Sequence, residues 1–156
     1  MKFFYSLFLS LLTYSAYSQA PSIQWQNTIG GTSQDLLMTS DNTSDGGVIL
    51  AGGSSSGISG DKTQNAIGGY DFWIVKLDAA GAIQWQKRYG GLADDMANSI
   101  QQTLEGGYIV AGYSGSGIGG DKTEALIGEY DFWVIKLDSA GNLLWQNTIG
   151  GIKNDQ

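Results

Sequence analysis

The stretch Tyr70-Asp71-Phe72-Trp73-Ile74-Val75-Lys76-Leu77-Asp78 returns 60 residues later as Tyr130-Asp131-Phe132-Trp133-Val134-Ile135-Lys136-Leu137-Asp138. Trp25, Trp85 and Trp145 keep the same 60-residue step, each followed by Gln. A chain repeating at this period is an array of supersecondary units that bury their faces on one another. That restricts the fold before any single residue is considered. It also weakens any site built from repeated residues, because an active centre is normally one asymmetric constellation.

Within the period every apolar pattern is extended. In Ile23–Ile29, Ile83–Tyr89 and Leu143–Ile149 apolar and polar residues alternate, which predicts a strand with one buried face. Each of these runs ends in a Gly pair: Gly30-Gly31, Gly90-Gly91, Gly150-Gly151. Asp35, Asp95 and Asp155 follow at a constant distance, and 36–43 and 96–103 are read as further strands of mixed pattern. Asp45-Gly46-Gly47 and Glu105-Gly106-Gly107 signal tight turns into strands at 48–53 and 108–113. The strand at 71–77 is apolar on both faces, with Trp73, Val75 and Leu77 on one and Phe72 and Ile74 on the other. Such a strand needs a neighbour above and below. Asp78-Ala79-Ala80-Gly81 and Asp138-Ser139-Ala140-Gly141 then turn back to the Trp-Gln strand.

The expected fold is all-β: tandem four-stranded antiparallel blades of a partial β-propeller. The complete units cover about 36–89 and 96–149, with partial units at 22–31 and 150–156. A β-solenoid is the alternative, although 60 residues with hairpin turns is long for one coil; a two-sheet sandwich explains two-sided burial less well.

These units resemble the bacterial secreted β-propeller repeat (SBBP type), and repeats of large exported bacterial proteins with a C-terminal sorting domain. The resemblance rests on Asp71 to Gly81, on Gly90-Gly91-Leu92-Ala93-Asp94-Asp95 and on Gly106 to Tyr113, and it covers 22–156. It implies an exported protein and a propeller. Propellers hold about 4–8 blades, so two blades imply further repeats, assembly of several chains into a ring, or a truncated product.

Export is also read from the N-terminus. Met1-Lys2, the apolar run Phe3–Leu12 and the small residues Ala16 and Ser18 form a signal peptide over 1–18, with the cut before Gln19. The run is too short for a bilayer anchor, and no membrane insertion of the mature chain is expected. Beyond the cut, 7 basic residues face 15 acidic ones, a net charge of −8. That balance disfavours nucleic acid and anionic membrane as partners. The chain has no Cys and no His, so the common zinc, iron and copper sites and Cys- or His-based catalysis are excluded.

The remaining motifs carry little chemistry. Gly115-Ser116-Gly117-Ile118-Gly119-Gly120 has the dinucleotide spacing, but that pattern needs a βαβ unit and Asp121-Lys122-Thr123 follows. Asp61, Asp71, Asp121 and Asp131 flank the long loops and are weak calcium candidates, lacking the close alternating spacing of a calcium loop. No other cofactor is expected. Asp35, Asp94, Asp95 and Asp155 read as turn residues rather than paired catalytic carboxylates, because three of them recur in every copy. Trp25, Trp85 and Trp145 read as packing between blades ahead of stacking on sugars. Phe72, Trp73, Phe132 and Trp133 complete the structural repeat. Asn42-Thr43-Ser44 is a glycosylation sequon. Glu124 and Glu129 are the non-repeated carboxylates of the long loops.

Loops 54–70 and 114–130, at 17 residues, exceed the usual length of structureless connections. In an antiparallel unit they share one end with the Gly-Gly-x-x-x-Asp segments, and that end is the expected binding face. The expected function is non-enzymatic: a structural or binding module for protein or glycan at the cell surface or outside. The alternatives are the non-catalytic part of a larger secreted hydrolase, or a fragment without its own function.

Overall fold

A computed structural model describes residues 20–155. The signal peptide expected at 1–18 and the cut expected before Gln19 lie outside the described residues. Eight strands follow in chain order: β1 (Asp35–Asn42), β2 (Val48–Ser54), β3 (Asp71–Leu77), β4 (Ile83–Tyr89), β5 (Asp95–Gln102), β6 (Tyr108–Ser114), β7 (Asp131–Leu137) and β8 (Leu143–Ile149). They form two antiparallel sheets in the orders β1-β2-β3-β4 and β5-β6-β7-β8. There is no helix among the described residues, and the fold is all-β as the repeat requires. No strand of one unit pairs with a strand of the other, as successive coils of a solenoid would. The units are separate blades stacked face to face, and they are not closed into a barrel.

The two-sided pattern of the Asp-Phe-Trp strand determines the stacking. Phe72 and Ile74 leave the first blade on the side of the second, together with Ile49 and Ala51 of β2. Trp133, Ile135 and Leu137 leave the second blade to meet them. The Phe72 and Trp133 rings lie 4.8 Å apart, tilted by 49°. Trp73, Val75 and Leu77 point to the opposite side of the first blade and form a smaller cluster with Ile29, Leu50 and Ile83. The blades approach most closely where β1 and β2 meet β5. Close contact at the first strands is the arrangement of neighbouring propeller blades.

The mixed pattern of β1 and β5 has a physical cause. Each carries a β-bulge, between Leu37 and Thr39 and between Ala97 and Ser99. An inserted residue shifts the alternation by one and blurs the period. A glycine faces each bulge. A methyl group on Gly112 would stand 1.9 Å from the Met96 carbonyl oxygen, and one on Gly52 would stand 1.8 Å from that of Leu36. Gly112→Ala should therefore push β5 off β6 and cost roughly 1–3 kcal/mol or more, as overpacking does. Gly117→Ala, where a methyl group meets nothing within 4 Å, is the control. Urea midpoints of the two variants measure the difference.

One expected strand does not form. Ile23–Ile29 carries the Trp-Gln pattern but makes no sheet pairing. In both blades that strand pairs only with the Asp-Phe-Trp strand before it, β4 with β3 and β8 with β7. Among the described residues no such strand precedes Ile23, and its backbone joins no ladder there. Its side chains still pack. Trp25 lies against Gly81, as Trp85 lies against Gly141 one blade later. The partial unit after β8 is likewise unpaired, although the Asp155 N–H donates to the Tyr130 carbonyl at 2.8 Å.

Candidate functional site

The long loops fold back on the Gly-Gly segments at one end of the blades. Ser59 pairs with Lys62, and Gly119 with Lys122, in single antiparallel bridges. The Asp61 N–H then donates to the Gly30 carbonyl and the Asp121 N–H to the Gly90 carbonyl, both at 2.9 Å. Gly60 and Gly120 sit at these contacts with φ of 54° and 61°. A side chain there would be strained, and its Cβ would strike the Gly30 or Gly90 carbonyl. The loops and the Gly-Gly-x-x-x-Asp segments thus share one end, as the strand order predicts, and they are bonded to each other.

Beneath the loops each blade repeats a polar network. Asp35 accepts from the Gly31 N–H at 2.7 Å, the Ser54 hydroxyl at 2.5 Å and the Ser56 hydroxyl at 3.0 Å. Asp95 accepts from the Gly91 N–H at 2.7 Å and the Ser116 hydroxyl at 2.9 Å, and Asp155 from the Gly151 N–H at 2.6 Å. Burial pushes the Asp95 carboxyl up, against the bonds from Ser114, Gly91 and Ser116.

Lys62 and Lys122 are turned inward and buried. Lys62 Nζ donates to Ser54 Oγ at 2.6 Å and to the Ser56 carbonyl at 2.9 Å, 5.8 Å from the centre of the Trp73 ring. Lys122 Nζ donates to Thr148 Oγ1 at 2.5 Å and to the Glu124 carbonyl at 3.2 Å, 5.9 Å from Trp133. Burial lowers the pKa of both ammonium groups, and nearby carboxylates oppose it. The sequence shows these lysines only as a repeated pair; that each closes a loop over a tryptophan depends on the fold.

The four calcium candidates are used singly. Asp61 accepts from the Gly30 N–H at 3.1 Å and Asp121 from the Gly90 N–H at 3.2 Å. Asp71 and Asp131 are buried and accept from the Ile67 and Ile127 N–H groups, each at 2.6 Å. Arg88 joins two of them across the blades, with Nη1 2.5 Å from Asp121 Oδ2 and Nε 3.9 Å from Asp71 Oδ2. Among the described residues no three acidic groups gather as a metal ligand set. Asp94 serves a different contact, accepting from the Tyr70 N–H at 2.9 Å.

Other singled-out residues are equally structural in position. Gly115 backs onto the Tyr130 ring, and the 115–120 stretch forms a turn with no helix after it. Trp73 and Trp133 donate from Nε1 to Gln86 and Gln146. Trp25 and Trp145 are half-exposed, while Trp85 packs edge-on to Tyr108 at 5.7 Å. Glu124 accepts from the Thr148 N–H, and Glu129 is exposed. Thr43 of the sequon is buried and donates to Asp45.

The loop end also presents what the sequence reading missed. Leu92 is 79% exposed, Ile118 70% and Ile58 64%; Ile67 and Ile127 in the long loops and Ile152 in the last Gly-Gly segment are exposed as well. The signal was available, since Ile58 and Ile118, Ile67 and Ile127, and Leu92 and Ile152 each differ by the 60-residue period. Aliphatic side chains repeated in the loops rather than in the strands have no blade to cover them. Compared with protein-family models and with curated proteins, the chain matches none.

Proposed function

We propose that the chain is an exported, non-enzymatic repeat module whose loop end binds another protein. The aliphatic residues of that end carry the reading. A set of exposed Ile and Leu repeated from blade to blade, on loops held by buried Lys and Asp, is an ordered apolar surface of the kind that marks an interaction site. The polar groups beneath are consumed in fixing backbone, which favours a scaffold over a reaction centre. Apolar contacts suit protein better than glycan, whose recognition relies on hydroxyl hydrogen bonding and aromatic stacking. The resemblance to secreted propeller repeats, and the leader at 1–18, support a location at or outside the cell surface.

The test uses the chain from Gln19, immobilised and exposed in parallel to a glycan array and to surface proteins of the producing cell. Wild type should retain a defined protein. The triple variant Ile58→Asp, Leu92→Asp, Ile118→Asp should lose it while its thermal midpoint is unchanged, because these side chains are already in water. Retention of the same protein by the triple variant, or binding confined to glycans, would remove the proposal. Mass spectrometry of the exported product should place its first residue at Gln19.

A further inference from the structure

We infer that the outer face of the first blade, which segment 23–29 covers in the single chain, docks the outer face of the second blade of another copy of this chain, head to tail. The inference concerns the sheet faces and is independent of the loop end. The existing interface sets Phe72 and Ile74 of one blade against Trp133, Ile135 and Leu137 of the next. The repeat places the same kinds of side chain on the two outer faces, which no blade of this chain covers. Trp73, Val75 and Leu77 line one, buried in the single chain with Ile29 packed against them, beside an apolar cleft of about 360 Å³ that Leu36, Leu50 and Trp25 also border. Phe132, 44% exposed, and Val134 stand on the other. Docking them continues an interface the molecule already contains, with Phe132 meeting Trp73 as Phe72 meets Trp133. Such a contact joins two different surfaces, so repetition closes into a ring or grows into a chain. Closure at about 4–8 blades corresponds to about two to four copies.

The N-terminal segment competes for this face. Trp25-Gln26-Asn27-Thr28-Ile29-Gly30-Gly31 is identical, residue for residue, to Trp145–Gly151 at the end of β8. Trp25 packs on Gly81, and the Asn27 side chain donates to the Gly81 carbonyl at 3.0 Å. It thus occupies the place that the fourth strand of a preceding blade takes, where Trp85 and Tyr89 meet Gly141. An incoming second blade brings its own fourth strand, paired with β7 along its length. Segment 23–29 has no ladder bonds to lose, so it leaves and β8 of the other copy takes the place.

Light scattering with circular dichroism, over a concentration series of the chain from Gln19, tests this. The expected result is a folded, discrete multimer in equilibrium with monomer. A chain beginning at Gly30 should assemble at a concentration at least about tenfold lower, since the competitor is gone. Phe132→Asp alters a side chain open to solvent in the single chain, and should give folded monomer at every concentration. Val134→Lys on the same face is the second variant should the first fold poorly. Two results would overturn the inference: a wild type that stays monomeric, or assembly, discrete or polydisperse, that both variants preserve. Assembly unchanged or weakened in the chain beginning at Gly30 would refute the competition.

Discussion

Phe72→Ala should destabilise the chain by about 3–5 kcal/mol, the usual cost of emptying a buried aromatic site. Phe132→Ala, at the same position of the next repeat, should cost less than about 1 kcal/mol in the dilute single chain. Residue type, strand and register are shared: Phe72 pairs with Tyr89 in its sheet, and Phe132 with Ile149. The neighbour differs. Phe72 is fully buried against Trp133, whereas Phe132 faces outward and is 44% exposed. A loss of that size at Phe72 is a large share of the ~5–15 kcal/mol that holds a domain together. Urea unfolding followed by tryptophan fluorescence measures both variants. Equal losses in dilute solution would show that the two blades do not stack as described. A cost at Phe132 that appears only on concentrating the sample is the signature of a second copy covering it.

The same comparison marks what the sequence could and could not reveal. Phe72 and Trp73 are both apolar and adjacent, so two-sided burial of β3 was legible from the residues alone. Which side is covered was not, because Phe72 and Phe132 are indistinguishable in sequence. Strand identity at Ile23–Ile29 was misread for a related reason. Alternation reports a face that wants burial, and Trp25 and Ile29 do pack; a strand additionally needs a backbone partner, which is a property of topology. The bulges at Met38 and Asn98 hid in a blurred period. Lys62 and Lys122 were legible as a repeated pair, yet nothing local says that a lysine in a Gly/Ser loop folds under it. That outcome follows from Ser54, Ser56 and Trp73 converging from separate strands and turns, a conjunction that only tertiary structure creates. At the loop end, the repeated Ile58 and Ile118 were countable but could not be separated from core aliphatics until the loops were placed.

Asp71 should make the chain more stable as the pH falls from 7 to about 4.5, the reverse of ordinary acid denaturation. Its side chain is fully buried, and Oδ1 has no hydrogen-bond donor. Burial raises its pKa to about 6, against the Ile67 N–H and the Arg88 guanidinium, which favour the charged form. The unfolded chain holds the ordinary value of 3.8. Between these two values the folded state binds the proton and the unfolded state has released it, so stability declines as pH rises through this window. The contribution is fully present below the unfolded pKa and lost above about 6. A displacement of this size gives a change of about 2 kcal/mol between pH 7 and pH 4.5. Asp95 shifts in the same direction through burial, so wild type alone does not isolate Asp71. Asp71→Asn does. It keeps an oxygen for the Ile67 N–H and leaves Arg88 its contact with Asp121. The stability of Asp71→Asn relative to wild type should be greatest at pH 7 and shrink by about 2 kcal/mol on reaching pH 4.5. Carbon NMR of the Asp71 carboxyl should titrate near 6 in the folded chain. Parallel pH profiles with a carboxyl midpoint near 3.8 would mean that Arg88 fully offsets the burial, and that the bridge from Asp71 to Asp121 is a stabilising contact between the blades rather than a tolerated one.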